Sequence, residues 1–115
     1  MADPVYVFAH VQAKPGYEDD LRAALLRLVK KTQSEPGFVR YDLHEDAKTP
    51  GQFAFYEIWR DQASLDLHGA TPQMAAHGEL TKHWVALVTV KTFRKITGTP
   101  SKLRSLPGAS PTLAM

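Results

Sequence analysis

The residues best suited to acid–base chemistry are the five histidines and one carboxylate that lies within an apolar run. His68 ends a short segment of helical character, and imidazole is the side chain that titrates closest to neutral pH. Glu57 is the only acid in the apolar and aromatic run FAFYEIW. Because a carboxylate among apolar side chains is costly unless it is paired, Glu57 either forms an ion pair with Arg40, Arg60 or Lys91 or tunes a pocket.

Each histidine also has an interpretation that involves no chemistry. A histidine at the end of a helix, such as His68, is favoured by the helix dipole. His10 and His44 fall on predicted strands, where each either faces a pocket or packs as an ordinary core or surface residue. His77 and His83 are six residues apart and do not share a helix face, so they are not a metal pair. The chain contains no cysteine, which excludes disulfides, thiolate nucleophiles and cysteine-ligated metals. We predict no metal site.

The strand that carries Glu57 is apolar on both of its faces. Successive side chains of a strand point to opposite sides of the sheet. The two sets that result here are Phe53, Phe55 and Trp59 on one side and Ala54, Tyr56 and Ile58 on the other. Such a strand needs a packed layer on each face, and a single small domain supplies only one. We therefore predict that the second layer is another copy of the same chain.

The order of the predicted elements indicates an α+β fold. Strands are predicted at 5–12, 38–45, 52–59 and 88–96, and helices at 17–33, at 61–68 and from the Thr71–Pro72 pair onward. The resulting β-α-β-β-α-β plan, with an antiparallel sheet, is ferredoxin-like. Residues 1–96 form the predicted domain. The segment 97–115, rich in Pro, Gly, Ser and Thr, is expected to be a flexible tail or an arm over a partner subunit.

Charge and hydropathy exclude several classes of partner. The formal net charge is +2, and leaving out Lys102 and Arg104 of the C-terminal segment gives a body with twelve basic and twelve acidic residues. A neutral body lacks the basic stripe of a nucleic-acid-binding protein. No apolar run approaches the ~18 residues of a membrane span. The first residues lack the pattern of a signal peptide, so we expect a cytoplasmic protein with no nucleic-acid or membrane partner.

Four stretches of the chain are informative together: AKPGYEDDLRAALLRLV, SEPGFVRYDLHED, GQFAFYEIWRDQASLDLHGATP and the closing strand near VTVKTFRKI, which cover roughly residues 5–96. They resemble the antibiotic biosynthesis monooxygenase family, which belongs to the dimeric α+β barrel superfamily. The most specific piece is YEIWRDQASLDLH, in which a strand end is followed by a helix that carries histidine. Many members continue with a second histidine after four residues, where this chain has Gln73. Glutamine forms hydrogen bonds but does not exchange a proton near neutral pH.

The resemblance implies a homodimer whose two sheets pack face to face, with a pocket between sheet and helices in each subunit. It also implies oxidation of a quinol-like or anthrone-like aromatic substrate by O2 without metal, flavin or haem, because the substrate supplies the electrons. The catalytic residues implied are His68 and Glu57. The substrate-binding residues are expected to be Trp59, Tyr56, Phe55, Tyr41 and His10, although core packing explains each of these side chains equally simply.

Three other functions are compatible with such a fold. An isomerase of small phosphorylated carbonyl compounds needs phosphate donors, for which the sequence offers only single candidates such as Arg40 and Lys91. Haem degradation in relatives uses an asparagine on the first strand, and this chain contains no asparagine. A ligand-binding or structural dimer without turnover is the third alternative, because a fold does not fix a function.

Overall fold

A computed structural model describes residues 3–99 of the chain, so most of the predicted tail lies outside the described residues. The elements in chain order are β1 (Val5–Ala13), α1 (Glu18–Thr32), β2 (Phe38–Glu45), β3 (Gln52–Trp59), α2 (Gln62–Gly69), α3 (Pro72–Thr81) and β4 (Val85–Phe93). The strands form one antiparallel sheet in the order β2-β3-β1-β4. This arrangement confirms the predicted ferredoxin-like α+β fold, with α2 and α3 together filling the place of the second helix.

The helices cover one face of the sheet, which we call the helix face. The side chains of β3 that point to it, Phe53, Phe55, Glu57 and Trp59, are all buried. Helix α1 packs against this face through one stripe of its surface, and the buried residues of the stripe are Leu21, Ala24, Leu25, Leu28 and Thr32. The core therefore lies between α1 and the central strands β1 and β3.

The two short helices begin at side-chain caps that the sequence marks. The Asp61 carboxylate accepts a hydrogen bond from the backbone N–H of Ser64, which starts α2. The Thr71 hydroxyl accepts one from Met74, and Pro72 takes the first helical position of α3, as predicted. These caps fix where α2 and α3 begin, and His68 lies near the end of α2, just before the second cap.

Strand β4 begins three residues earlier than predicted and ends three residues earlier. Helical spacing continues through Trp84 in the sequence, but α3 ends at Thr81, and the backbone N–H of Trp84 bonds to the Thr81 carbonyl in a turn. Val85 can then pair with Ala13 of β1, so the strand starts there. Pairing with β1 outweighs the local helical pattern.

The opposite face of the sheet, which we call the outer face, carries a row of aromatic side chains. Phe8 lies between Tyr56 and Phe93, with ring centroids 5.2 Å apart in both pairs. Phe8 is 45% exposed and Phe93 is 48% exposed. Within residues 3–99 no helix covers this face. The strands are apolar on both sides, but a single chain packs only the helix face, so apolar side chains of the outer face remain exposed.

Candidate functional site

A cavity of about 580 Å³ lies between the helix face of the sheet and the helices. Its wall is mostly apolar and includes Val7, Ala9, Val11, Leu25, Leu28, Leu65, Met74, Val85, Val88 and Val90, with Asp66, His77 and Thr81 among its polar members. Polar side chains meet at one end, where Glu57, Tyr41 and His68 reach the cavity from β3, β2 and α2. An apolar chamber with a few convergent polar groups is the usual form of a small-molecule site.

The imidazole of His68 is held by a carboxylate from a distant part of the chain. Its Nδ1 lies 2.8 Å from Oε1 of Glu35, and the two side chains are only 6% and 7% exposed. The bond occupies one ring nitrogen, and Nε2 makes no hydrogen bond to any residue from 3 to 99. Every fully buried side-chain nitrogen or oxygen in that range has a partner, so Nε2 reaches accessible space. Since His68 lines the cavity, we infer that Nε2 is open to a ligand there.

The second oxygen of the same carboxylate is also occupied. Gln73, near the start of α3, donates from its Nε2 to Oε2 of Glu35. Glu35 comes from the turn between α1 and β2, whereas His68 lies near the end of α2. The carboxylate therefore joins three segments of the chain behind the polar end of the cavity.

Glu57 is buried in the same region and takes its hydrogen bond from an indole. Nε1 of Trp59 donates to Oε1 of Glu57 over 2.9 Å. The Trp59 ring is fully buried, and its centroid lies 4.6 Å from that of the His68 ring. Burial raises the pKa of Glu57 above its usual value, against the opposing effects of the Trp59 hydrogen bond and nearby His68. The ion pair considered for Glu57 is not formed with any cation of the described chain.

Tyr41 completes the polar end. Its ring packs edge-on against His68, with centroids 5.3 Å apart, and it also contacts Phe55. Burial raises the pKa of Tyr41 far above its usual range, and the nearby carboxylates of Glu57 and Glu35 add to this effect. The phenol therefore stays protonated near neutral pH, so it can donate a hydrogen bond but is not a base.

Comparison with known proteins assigns the chain to a family. A family model described as antibiotic biosynthesis monooxygenase matches residues 4–80, about two thirds of the sequence. The chain belongs to the antibiotic biosynthesis monooxygenase family. The match includes β1 through α3 and therefore every polar residue of the cavity end described above.

Solved structures in this fold agree closely with the chain. PA3566 from Pseudomonas aeruginosa is 28% identical, with a TM-score of 0.80 over 84% of this chain and 98% of that one. A solved antibiotic biosynthesis monooxygenase is 34% identical, with a TM-score of 0.76 over 81% of this chain and 99% of that one. The uncharacterized protein sll1783 from Synechocystis is 34% identical over 70 residues, 61% of this chain. The match covers 48% of that protein, so the chain spans about half the length of this curated relative.

Five of the seven residues predicted for the site meet at the polar end of the cavity. His68, Glu57, Phe55 and Tyr41 line it. Trp59 lies behind them, where its ring contacts that of His68 at a tilt and its indole N–H bonds Glu57, but it is not part of the cavity wall. The catalytic and substrate-binding roles of these residues remain predictions.

The other two predicted residues lie on the outer face. His10 and Tyr56 have the strand parity opposite to that of Ala9 and Phe55, so the sheet separates them from the cavity. Tyr56 packs there against Phe8. The structure therefore does not bring His10 and Tyr56 to the family site within one chain.

Glu35 is the functional candidate that sequence reasoning missed. The EPG stretch that contains it indicates a helix-ending turn, and Glu35 does lie in that turn. Its partner His68 is 33 residues away, and no local period links the two. The sequence indicates a role for Glu35 only through the segment SEPGF, which is among the stretches that resemble the family.

Two further features, a metal-binding cluster and a membrane-spanning helix, are not found between residues 3 and 99. Between residues 3 and 99, no three histidine, aspartate or glutamate side chains come close enough together to hold a metal ion. No helix in that range is both long and apolar enough to cross a membrane. The absence of a bound cofactor was predicted from the family resemblance and stays a prediction.

Proposed function

We propose that this protein is a cofactor-independent monooxygenase that oxidises a quinol-like or anthrone-like aromatic compound with O2. The observation that carries the proposal is His68, which is held on one ring nitrogen by Glu35 at the polar end of an apolar cavity. A neutral imidazole with a free nitrogen is the usual general base near neutral pH. Membership of the family and likeness to a solved antibiotic biosynthesis monooxygenase support the same reaction class.

The reaction needs only groups that the cavity offers. His68 takes a proton from the substrate, and the electron-rich anion that results reduces O2 directly. For an anthrone-type substrate, the reacting CH2 carbon loses two hydrogens and gains one oxygen atom, while the second oxygen atom leaves as water. The Tyr41 hydroxyl is a donor for the developing oxyanion, and Glu57, a predicted catalytic residue whose pKa is raised by burial, lies at the same end of the cavity. The aliphatic wall excludes water from the reactive anion.

The isomerase alternative finds less support in this cavity. A phosphorylated substrate needs cationic or backbone donors around its phosphate. Of the residues from 3 to 99, no lysine or arginine lines the cavity, whereas Glu57 and Asp66 do. A phosphate at the polar end would meet carboxylates, so the charge of the lining favours an uncharged aromatic substrate.

We also propose that the protein forms a homodimer through its outer face. The aromatic row of Phe8, Tyr56 and Phe93 is the centre of that face, and Phe8 and Phe93 remain about half exposed in one chain. A second sheet packed against this row would supply the layer that the apolar strands require. Such packing would bury the outer face and leave the cavity on the helix face of each subunit.

The enzymatic proposal is tested by oxygen consumption with a panel of quinols and anthrones. We expect wild-type uptake above autoxidation and a loss of about 10²–10⁴-fold in His68→Ala, the usual contribution of a general base. His83→Ala is the matched control, because His83 is an exposed histidine that does not line the cavity. Its rate should stay within a few-fold of wild type. Uptake that survives in His68→Ala, or no wild-type uptake with panel members shown to bind, would contradict the proposal.

A further inference from the structure

We infer that Glu35 is a positioning residue that fixes His68 in a single tautomer, with the lone pair of Nε2 directed to the cavity, and that Gln73 holds Glu35 in place. The effect on catalysis rests on the proposed function. The tautomer itself does not, because it follows from the hydrogen bonds alone.

The backbone around Glu35 is fixed on both sides. Its N–H bonds to the carbonyl of Thr32, and its carbonyl accepts from Phe38. Gly37, two residues further along the turn, has φ near +77° and lies against Ser64 of α2, and its carbonyl accepts from the N–H of Arg60. The carboxylate therefore projects from a turn tied to both α1 and the β3–α2 junction.

The partners of the carboxylate determine where the protons lie. The amide nitrogen of Gln73 can only donate, so Oε2 of Glu35 is an acceptor. A glutamate is a much stronger acid than an imidazolium, so the proton shared by Oε1 and Nδ1 belongs to His68. Nδ1 is therefore the donor. In the neutral ring this leaves Nε2 unprotonated, which is the form that a general base requires.

The glutamine at position 73 gives Glu35 a second partner whose own charge does not change with pH. A histidine there would change its charge near neutrality and compete with His68 for the same carboxylate. Gln73 donates one hydrogen bond and never titrates. Its presence keeps both oxygens of Glu35 occupied, so the carboxylate cannot rotate away from His68 without losing a buried bond.

The test is ¹⁵N NMR of the histidine rings in the full-length protein at pH 8. In wild type, the His68 spectrum should show protonated Nδ1 and unprotonated Nε2. Glu35→Gln keeps the shape of the side chain but can either donate to or accept from Nδ1, so we expect both tautomers. Glu79→Gln is the matched control, because it makes the same chemical change at an exposed carboxylate of α3 that bonds Lys82 and does not line the cavity. It should leave the His68 spectrum unchanged.

Kinetics provide the second readout. Glu35→Gln should lower kcat by about tenfold or more while KM changes less than threefold, because Glu35 lies behind His68 and does not line the cavity. If that variant does not fold, Gln73→Leu replaces it, and a mixed tautomer population is again expected. Wild-type His68 protonated on Nε2, or a Glu35→Gln spectrum identical to wild type, would overturn the inference. A wild type without oxygenase activity but with the expected tautomer would refute only the proposed function.

Discussion

The bond between Trp59 and Glu57 makes a quantitative prediction about stability. Trp59→Phe removes the indole N–H that the buried carboxylate accepts over 2.9 Å. A hydrogen bond to a charged group contributes about 1.5–3 kcal/mol, and removing its donor leaves the carboxylate unpaired. Loss of part of a fully buried ring adds about 1 kcal/mol. We therefore expect Trp59→Phe to lower the free energy of unfolding by about 3 kcal/mol at pH 8.

A double-mutant cycle isolates what the charge of Glu57 adds to this hydrogen bond. Glu57→Gln keeps an acceptor for the indole but removes the charge, so the bond it makes with Trp59 contributes only about 1 kcal/mol. Trp59→Phe should then cost about 2 kcal/mol in the Glu57→Gln background, which gives a coupling energy of about 1 kcal/mol. Urea unfolding of the four proteins measures it, at one protein concentration because subunit association changes apparent stability.

Additive effects would refute this reasoning. If the two substitutions add to within about 0.5 kcal/mol, the charge of Glu57 adds nothing to its hydrogen bond with Trp59. If Trp59→Phe costs less than about 1 kcal/mol, the indole is not the partner that compensates the buried carboxylate.

Two further predictions concern the pH dependence of stability and the oligomeric state. Burial raises the pKa of Glu57 above its unfolded value, so stability is lost as pH rises through the folded pKa. Glu57→Gln should match wild type near pH 4 and be about 0.5–2 kcal/mol more stable at pH 8; equal gains at both pH values would contradict this. Phe8→Lys puts a charge in the aromatic row and should convert the proposed dimer to monomers in sedimentation, whereas Leu26→Lys, an exposed position on α1, should not. A monomeric wild type would count against the dimer.

The sequence predicts most of the fold because its elements are locally encoded. The stripe of α1, the cap at Thr71 and the alternation in β3 each lie within a few residues. The start of β4 does not, because it depends on pairing between Val85 and Ala13, which are far apart in the sequence. At that point, pairing with β1 determines where the strand starts more strongly than the helical spacing of the sequence does.

The site was less predictable because its contacts are long-range. Alternation separates Phe55 from Tyr56, but nothing local tells which of the two faces the helices cover. Likewise Glu35 has the composition of an ordinary turn residue, and only the folded chain brings it to His68. Sequence reasoning therefore named several residues of the cavity but neither the carboxylate that holds its histidine nor the side of the sheet on which His10 lies.

The two faces of β3 have a consequence for how this protein can change over evolution or in engineering. Phe55 and Glu57 border the cavity, while the neighbouring Tyr56 belongs to the outer face. Single substitutions can therefore alter ligand preference without touching the surface proposed for association, and the reverse also holds. A one-residue insertion or deletion within the strand would exchange the two surfaces along its remaining length. The strand is thus free to vary in residue type at each face but constrained in length.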